Sequence, residues 1–158
     1  MPTRQRTKEE LIEASEALYY EIMMLNECAK FSETFKNTIY LSQFLENILT
    51  ESFCVHLRNI TEFFGKEKRD YITYKFFMAS EKSIALPHDL SGKYNAKVNN
   101  LLSHLTFARL AFKQEEKTWL LSQIANQVNE NLREFFGNAD HNSLCNKLEN
   151  YMEGIFRN

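Results

Sequence analysis

The sequence is poor in residues that turn a chain. Four glycines and two prolines in 158 residues leave too few reversal points for an all-β fold, whose strands are separated by turn signals roughly every eight to twelve residues. Cysteine is equally scarce. Cys28, Cys54 and Cys145 are odd in number and far apart, with no CxxC pair, which argues against a disulfide framework and for reduced, buried thiols. Long apolar runs are missing too: nothing approaches the roughly 18 residues of a membrane span. No apolar stretch follows the polar opening MPTRQRTKEE. The expectation is therefore a cytoplasmic chain with no membrane partner. Charge of one sign is also absent, since a formal net charge of −2 sets up no field that gathers nucleic acid nonspecifically. Only a local basic patch remains open, for which Lys66, Lys68 and Arg69 are the candidates.

What is abundant is apolar and aromatic. Thirteen Phe and seven Tyr stand against one Trp, with 44% hydrophobic and 25% charged residues overall. Such a chain has enough apolar surface for one sizeable core, and its length fits a single domain over 1–158.

The spacing of the apolar residues is helical almost throughout. Thr7-Lys8-Glu9-Glu10 reads as a capping box, and Leu11, Ala14, Leu18, Glu21/Ile22 and Leu25 carry a first helix to about Lys30. Asn37-Thr38 is the expected cap of a second, in which Leu41, Phe44, Leu45, Ile48, Leu49, Phe53, Val55, Ile60 and Phe63 recur until Gly65. Asp70–Ser80 reads as a short third helix, and Leu86–Gly92 as a loop. Asn95–Lys113 and Glu115–Phe136 are the next two helices, the second ended by Gly137, and His141–Phe156 is the last. The predicted fold is all-α, an up-and-down bundle of five or six helices.

The polar residues inside these stripes are the candidate site. His56 shares its helical face with Leu49, Phe53, Ile60 and Phe63, so the ring is expected to be buried and internally hydrogen-bonded. Arg58 points nearly the opposite way, toward Glu51, Cys54, Val55 and Glu62, and a pair with Glu62 follows from the i,i+4 spacing. Asn59 lies at the edge of the apolar arc. In SHLTFARL, residues 103–110, His104 looks inward with Leu101 and Phe107. Arg109 falls on a second stripe with Val98, Leu102, Leu105 and Phe112, where it requires an anionic or carbonyl partner. Metal chemistry has little support, because the four histidines show no HxxxH or ExxH spacing. Glu9, Glu10 and Glu13 with Glu67 and Asp70 superficially resemble the acidic motifs of all-α nucleoside-triphosphate pyrophosphohydrolases. The gap between the two groups is too long for that family's helix pair, and helix-start acids follow from the helix dipole. No Gly-rich phosphate loop, GxSxG elbow or cysteine nucleophile is present.

Phe53-Cys54-Val55-His56-Leu57-Arg58-Asn59 through Phe63-Phe64, followed by Ser103-His104-Leu105-Thr106 and Arg109, resembles short bacterial proteins similar to HEPN (higher eukaryotes and prokaryotes nucleotide-binding) domains. The resemblance covers about residues 10–136. It implies an up-and-down bundle that dimerises, with paired polar motifs at the subunit interface and a nucleotide or RNA as ligand. Active HEPN ribonucleases follow an arginine–polar pair with a histidine four to six residues on. Arg58-Asn59 match the pair, but Phe63, Phe64 and Gly65 stand where the histidine belongs. Metal-free RNA cleavage needs a proton acceptor, and an arginine, always protonated, is a poor one.

Three functions follow as expectations. The first is a homodimeric binding or interaction module, without an intact nuclease motif or cofactor, that meets a nucleotide or RNA phosphate through Arg58 and Arg109. The second is a metal-independent ribonuclease of toxin or phage-defence type, with His56 or His104 acting across a dimer. The third is a structural or inhibitory protein partner whose polar groups are all satisfied internally. An enzyme requires a histidine within reach of Arg58, a binding module requires open arginines in a cleft, and a scaffold requires arginines paired with carboxylates.

Overall fold

The computed structural model of the chain describes residues 6–38, 43–65, 71–99 and 119–157. Its α-helices are α1 (Lys8–Thr38), α2 (Gln43–Phe63), the short α3 (Asn95–Val98), α4 (Leu121–Phe136) and α5 (Asn146–Arg157). Among the described residues there is no sheet, only an isolated antiparallel bridge between Met78 and Ala139. The fold is all-α, and no described helix is long and apolar enough to cross a membrane.

α1 starts where the capping box places it. The Thr7 amide donates to Glu10 Oε2 at 2.9 Å, and the Glu10 amide donates to Thr7 Oγ1 at 3.2 Å. The helix does not stop near Lys30 but continues to Thr38, so Asn37-Thr38 close α1 instead of opening α2. Nothing in 31–38 breaks a helix, and Phe31 and Phe35 stack at i,i+4 with ring centroids 4.0 Å apart, which favours continuation. α2 ends as expected. The Gly65 amide donates to the Glu62 carbonyl at 3.0 Å, and a β-carbon there would come within 3.1 Å of that same oxygen.

The segment read as a third helix is different. Tyr74–Phe77 form one 3-10 turn between extended residues Thr73 and Met78. The chain then pairs with the exit from α4: Ala79 N–H donates to Asn138 O at 3.0 Å, and Asp140 N–H to Phe77 O at 2.6 Å. Backbone groups that a helix would have satisfied locally are satisfied by a segment distant in sequence. Leu86–Gly92 is also only partly a loop. Residues Asp89–Tyr94 wind as a π-helix, held by the fully buried Leu90 and leading directly into α3. Beyond Asn99, the expected Asn95–Lys113 helix lies outside the described residues, as do residues 115–118 of the next one. Helix α4 itself begins only at Leu121. The final segment opens with a 3-10 turn at His141–Ser143, and its α-helix starts at Asn146.

The core is formed by α1 (Leu18, Ile22, Leu25), α2 (Phe53, Leu57, Ile60), α4 (Ile124, Val128, Leu132) and α5 (Leu148, Met152). α1 and α4 are tied by a reciprocal amide pair: Asn129 Nδ2 donates to Asn26 Oδ1 at 2.8 Å, and Asn26 Nδ2 to Asn129 Oδ1 at 3.3 Å. Fully buried Ser15 accepts the Cys145 amide at 2.7 Å, which caps α5 from the side of α1. The carboxyl end of α2 is closed by rings, with Phe135 edge-on to Phe63, Phe64 and Phe77 at centroid distances of 5.2, 6.2 and 6.3 Å. Replacing Phe135 by Ala removes the shared ring and leaves a cavity, so the urea midpoint should fall by the equivalent of about 3–5 kcal/mol. A loss of only a few tenths would contradict this packing.

Candidate functional site

The polar residues of the ESFCVHLRNITEFF stretch separate onto two sides of α2. His56 faces inward and is 7% exposed. Its Nδ1 lies 2.6 Å from Glu21 Oε2 on α1, and the Tyr20 ring packs edge-on against it with centroids 5.6 Å apart. A buried imidazole in contact with a carboxylate has its hydrogen-bonding need met within the molecule. Glu21 sits in the apolar stripe of α1 beside Ile22. That misplaced carboxylate was the sequence signal for a partner, although nothing local connects it to a residue 35 positions away.

Arg58 and Asn59 face outward and are exposed. With Glu51, Cys54, Val55, Glu62 and Val98 of α3 they line a groove of about 470 Å³. Arg58 Nε donates to Glu62 Oε1 at 3.3 Å, with 43% of the arginine side chain and 29% of the glutamate side chain exposed. Such a pair is screened and worth a few tenths of a kcal/mol. Nη1 and Nη2 have no partner among the described residues, and neither has the Asn59 amide. The Glu51 carboxylate also lacks a hydrogen-bond or ion-pair partner among them.

One sulfur, Cys54, lines the groove, and it is buried. Burial pushes the Cys54 thiol up to about 12, only partly opposed by the Lys97 ammonium, which makes it a poor nucleophile at neutral pH. All three cysteines are free and buried. Lys97 lies over the Trp119 ring at 4.3 Å, which joins α3 to the residues just ahead of α4. Among the described residues no three His, Cys, Asp or Glu side chains converge as metal ligands would.

His104 and Arg109 lie outside the described residues, as do Lys66, Lys68 and Arg69. His56 and Arg58 are not brought together: their directions on α2 differ by about 160° at 100° per residue. No protein-family model, curated protein or solved structure matches this chain.

A double-mutant cycle measures the inward pair. The costs of His56→Leu and Glu21→Leu should sum to more than the cost of the double variant, with a coupling on the order of 1–3 kcal/mol in denaturant unfolding, because each single change strands a polar partner. Additive losses would show that the contact contributes nothing net.

Proposed function

We propose that this chain is a non-catalytic binding module that receives a partner's anionic group, phosphate or carboxylate, at the Arg58–Asn59 groove on the outer face of α2. One observation carries the reading. The guanidinium gives only its Nε edge to Glu62, so its Nη1/Nη2 end keeps the two parallel N–H groups with which arginine grips oxyanions.

The surroundings support binding over catalysis. His56, the described histidine nearest to Arg58 in sequence, is buried on the other side of α2 and engaged by Glu21. Phe63 and Phe64, where the nuclease pattern calls for a histidine, are 4% and 5% exposed core residues. On the HEPN-like reading, Arg58 and Asn59 keep the arginine–polar pair of a nucleotide-handling site after its proton-transfer partner is gone. A nucleotide or RNA phosphate bound by a homodimer is what that resemblance implies; a carboxylate on a protein partner is the other ligand the same groove admits.

Titration with inorganic phosphate, and separately with acetate, tests the site in two-dimensional NMR spectra of the whole chain. The Arg58 Nε–H and the backbone amides of residues 51–62 should shift together and saturate. Arg58→Gln should abolish the response, while Glu62→Gln, which removes the competing carboxylate, should tighten it several-fold. A response that survives Arg58→Gln would overturn the assignment.

A further inference from the structure

One face of α2, exposed except at the half-buried Glu62, continues beyond the groove toward an amino-terminal stretch, 43–48, that is exposed on every side. Phe44, Ile48, Glu51, Val55, Arg58 and Glu62 are separated by alternating steps of four and three. At 100° per residue they fall within about 40° of one line along the helix. The opposite line holds Phe53, Leu57 and Ile60, all at most 1% exposed. On the outer line Phe44 is 71%, Ile48 45% and Val55 56% exposed. A seam with a mean period of 3.6 residues, about 27 Å long, is one continuous helix face along which another α-helix can pack.

We infer that this seam is the docking face for a single amphipathic helix of a partner protein, one that sets a basic side chain against Glu51 and an acidic one against Arg58. The inference rests on the Arg58 reading above and chooses the carboxylate over the phosphate. Charge decides between the classes. Among the described residues the groove is lined by one cation, Arg58, and two carboxylates, Glu51 and Glu62, with the Lys97 ammonium acting on Cys54 from beside it, a mixture of signs that suits a helix bearing both better than a polyanion. Between the two charges Val55 is an exposed apolar contact, and the groove walled by Val98 has room for an anchoring side chain. Toward the amino end Ile48 and Phe44 continue the seam as a purely apolar surface.

A second copy of the same helix fits poorly. Parallel pairing would set Glu51 on Glu51 and Arg58 on Arg58. Antiparallel pairing over the full seam would set Phe44 against Glu62 and Ile48 against Arg58, which strands charge on apolar surface, and the antiparallel register that pairs Glu51 with Arg58 in both copies sets Ile48 beside Glu62 and leaves Phe44 past the end of α2. The complementary sequence is apolar at one end and carries its base and acid, in that order, at the other.

The probe is a fluorescent synthetic helix of about three heptads, apolar opposite Phe44, Ile48 and Val55, with Lys opposite Glu51 and Glu opposite Arg58. Anisotropy with the full chain should saturate. A peptide with its Lys and Glu exchanged should bind at least tenfold more weakly, and the Glu51→Lys/Arg58→Glu double variant should reverse that preference. The chain alone should sediment at its single-copy mass of 18.7 kDa. Equal binding of both peptides, saturable binding of labelled single-stranded RNA in their place, or sedimentation at twice that mass would overturn the inference. If no peptide binds while the phosphate titration still depends on Arg58, the seam fails and the anion site stands. If both responses are absent, the underlying reading fails as well.

Discussion

The contact between His56 and Glu21 fixes how α2 is rotated against α1. At 2.6 Å it satisfies a buried ring and a largely buried carboxylate at once, and turning α2 by one residue would separate them. An unpaired polar group in such a position costs on the order of 1–3 kcal/mol, more if charged. The rest of α2 follows from that rotation. Phe53, Leu57 and Ile60 go into the core, Phe63 and Phe64 reach the rings of Tyr74 and Phe135, and Arg58, Asn59, Val55 and Glu51 are left facing out. The histidine that looks like chemistry thus acts as structure, and it is the structure that presents the arginine.

The two ends of the α1–α2 pair are built differently. At the carboxyl end of α2, aromatic rings and the 78–79/138–140 backbone pairing close the bundle. At the other end, no residue in 30–35 of α1 or 43–52 of α2 is buried, yet Phe31, Phe44, Leu45 and Ile48 are among them. The stability of the molecule resides in the first region. The second region carries the apolar half of the proposed docking seam, and the charged half supplies the specificity that apolar contact alone lacks.

Much of this was legible in the sequence, for identifiable reasons. The capping box at Thr7 and the burial of His56 follow from local spacing, and the structure contains both. The outward direction of Arg58 and its pairing with Glu62 follow from helical geometry in the same way. Where the reading went wrong, long-range pairing had won over local pattern. Tyr71, Tyr74, Phe77 and Met78 look like a helix face, but Asn138 and Asp140 claim the backbone there. Pro87 and Gly92 look like a loop, but Leu90 finds a buried pocket that winds the chain into a π-helix. The partner of His56 could not be named from sequence, since a carboxylate on another helix is identified only by the packing. The 4–3–4–3–4 spacing of the seam was present in the sequence; which of its residues the rest of the fold leaves uncovered was not.

The account depends on the outer line of α2 being open to solvent, and paramagnetic relaxation by an inert gadolinium chelate reads this directly. Side-chain protons of Phe44, Ile48 and Val55 should relax strongly, and those of Phe53, Leu57 and Ile60 should be spared. Protection of Phe44, Ile48 and Val55 to the level of the core residues would mean the seam is already occupied, and the proposed docking face would not exist.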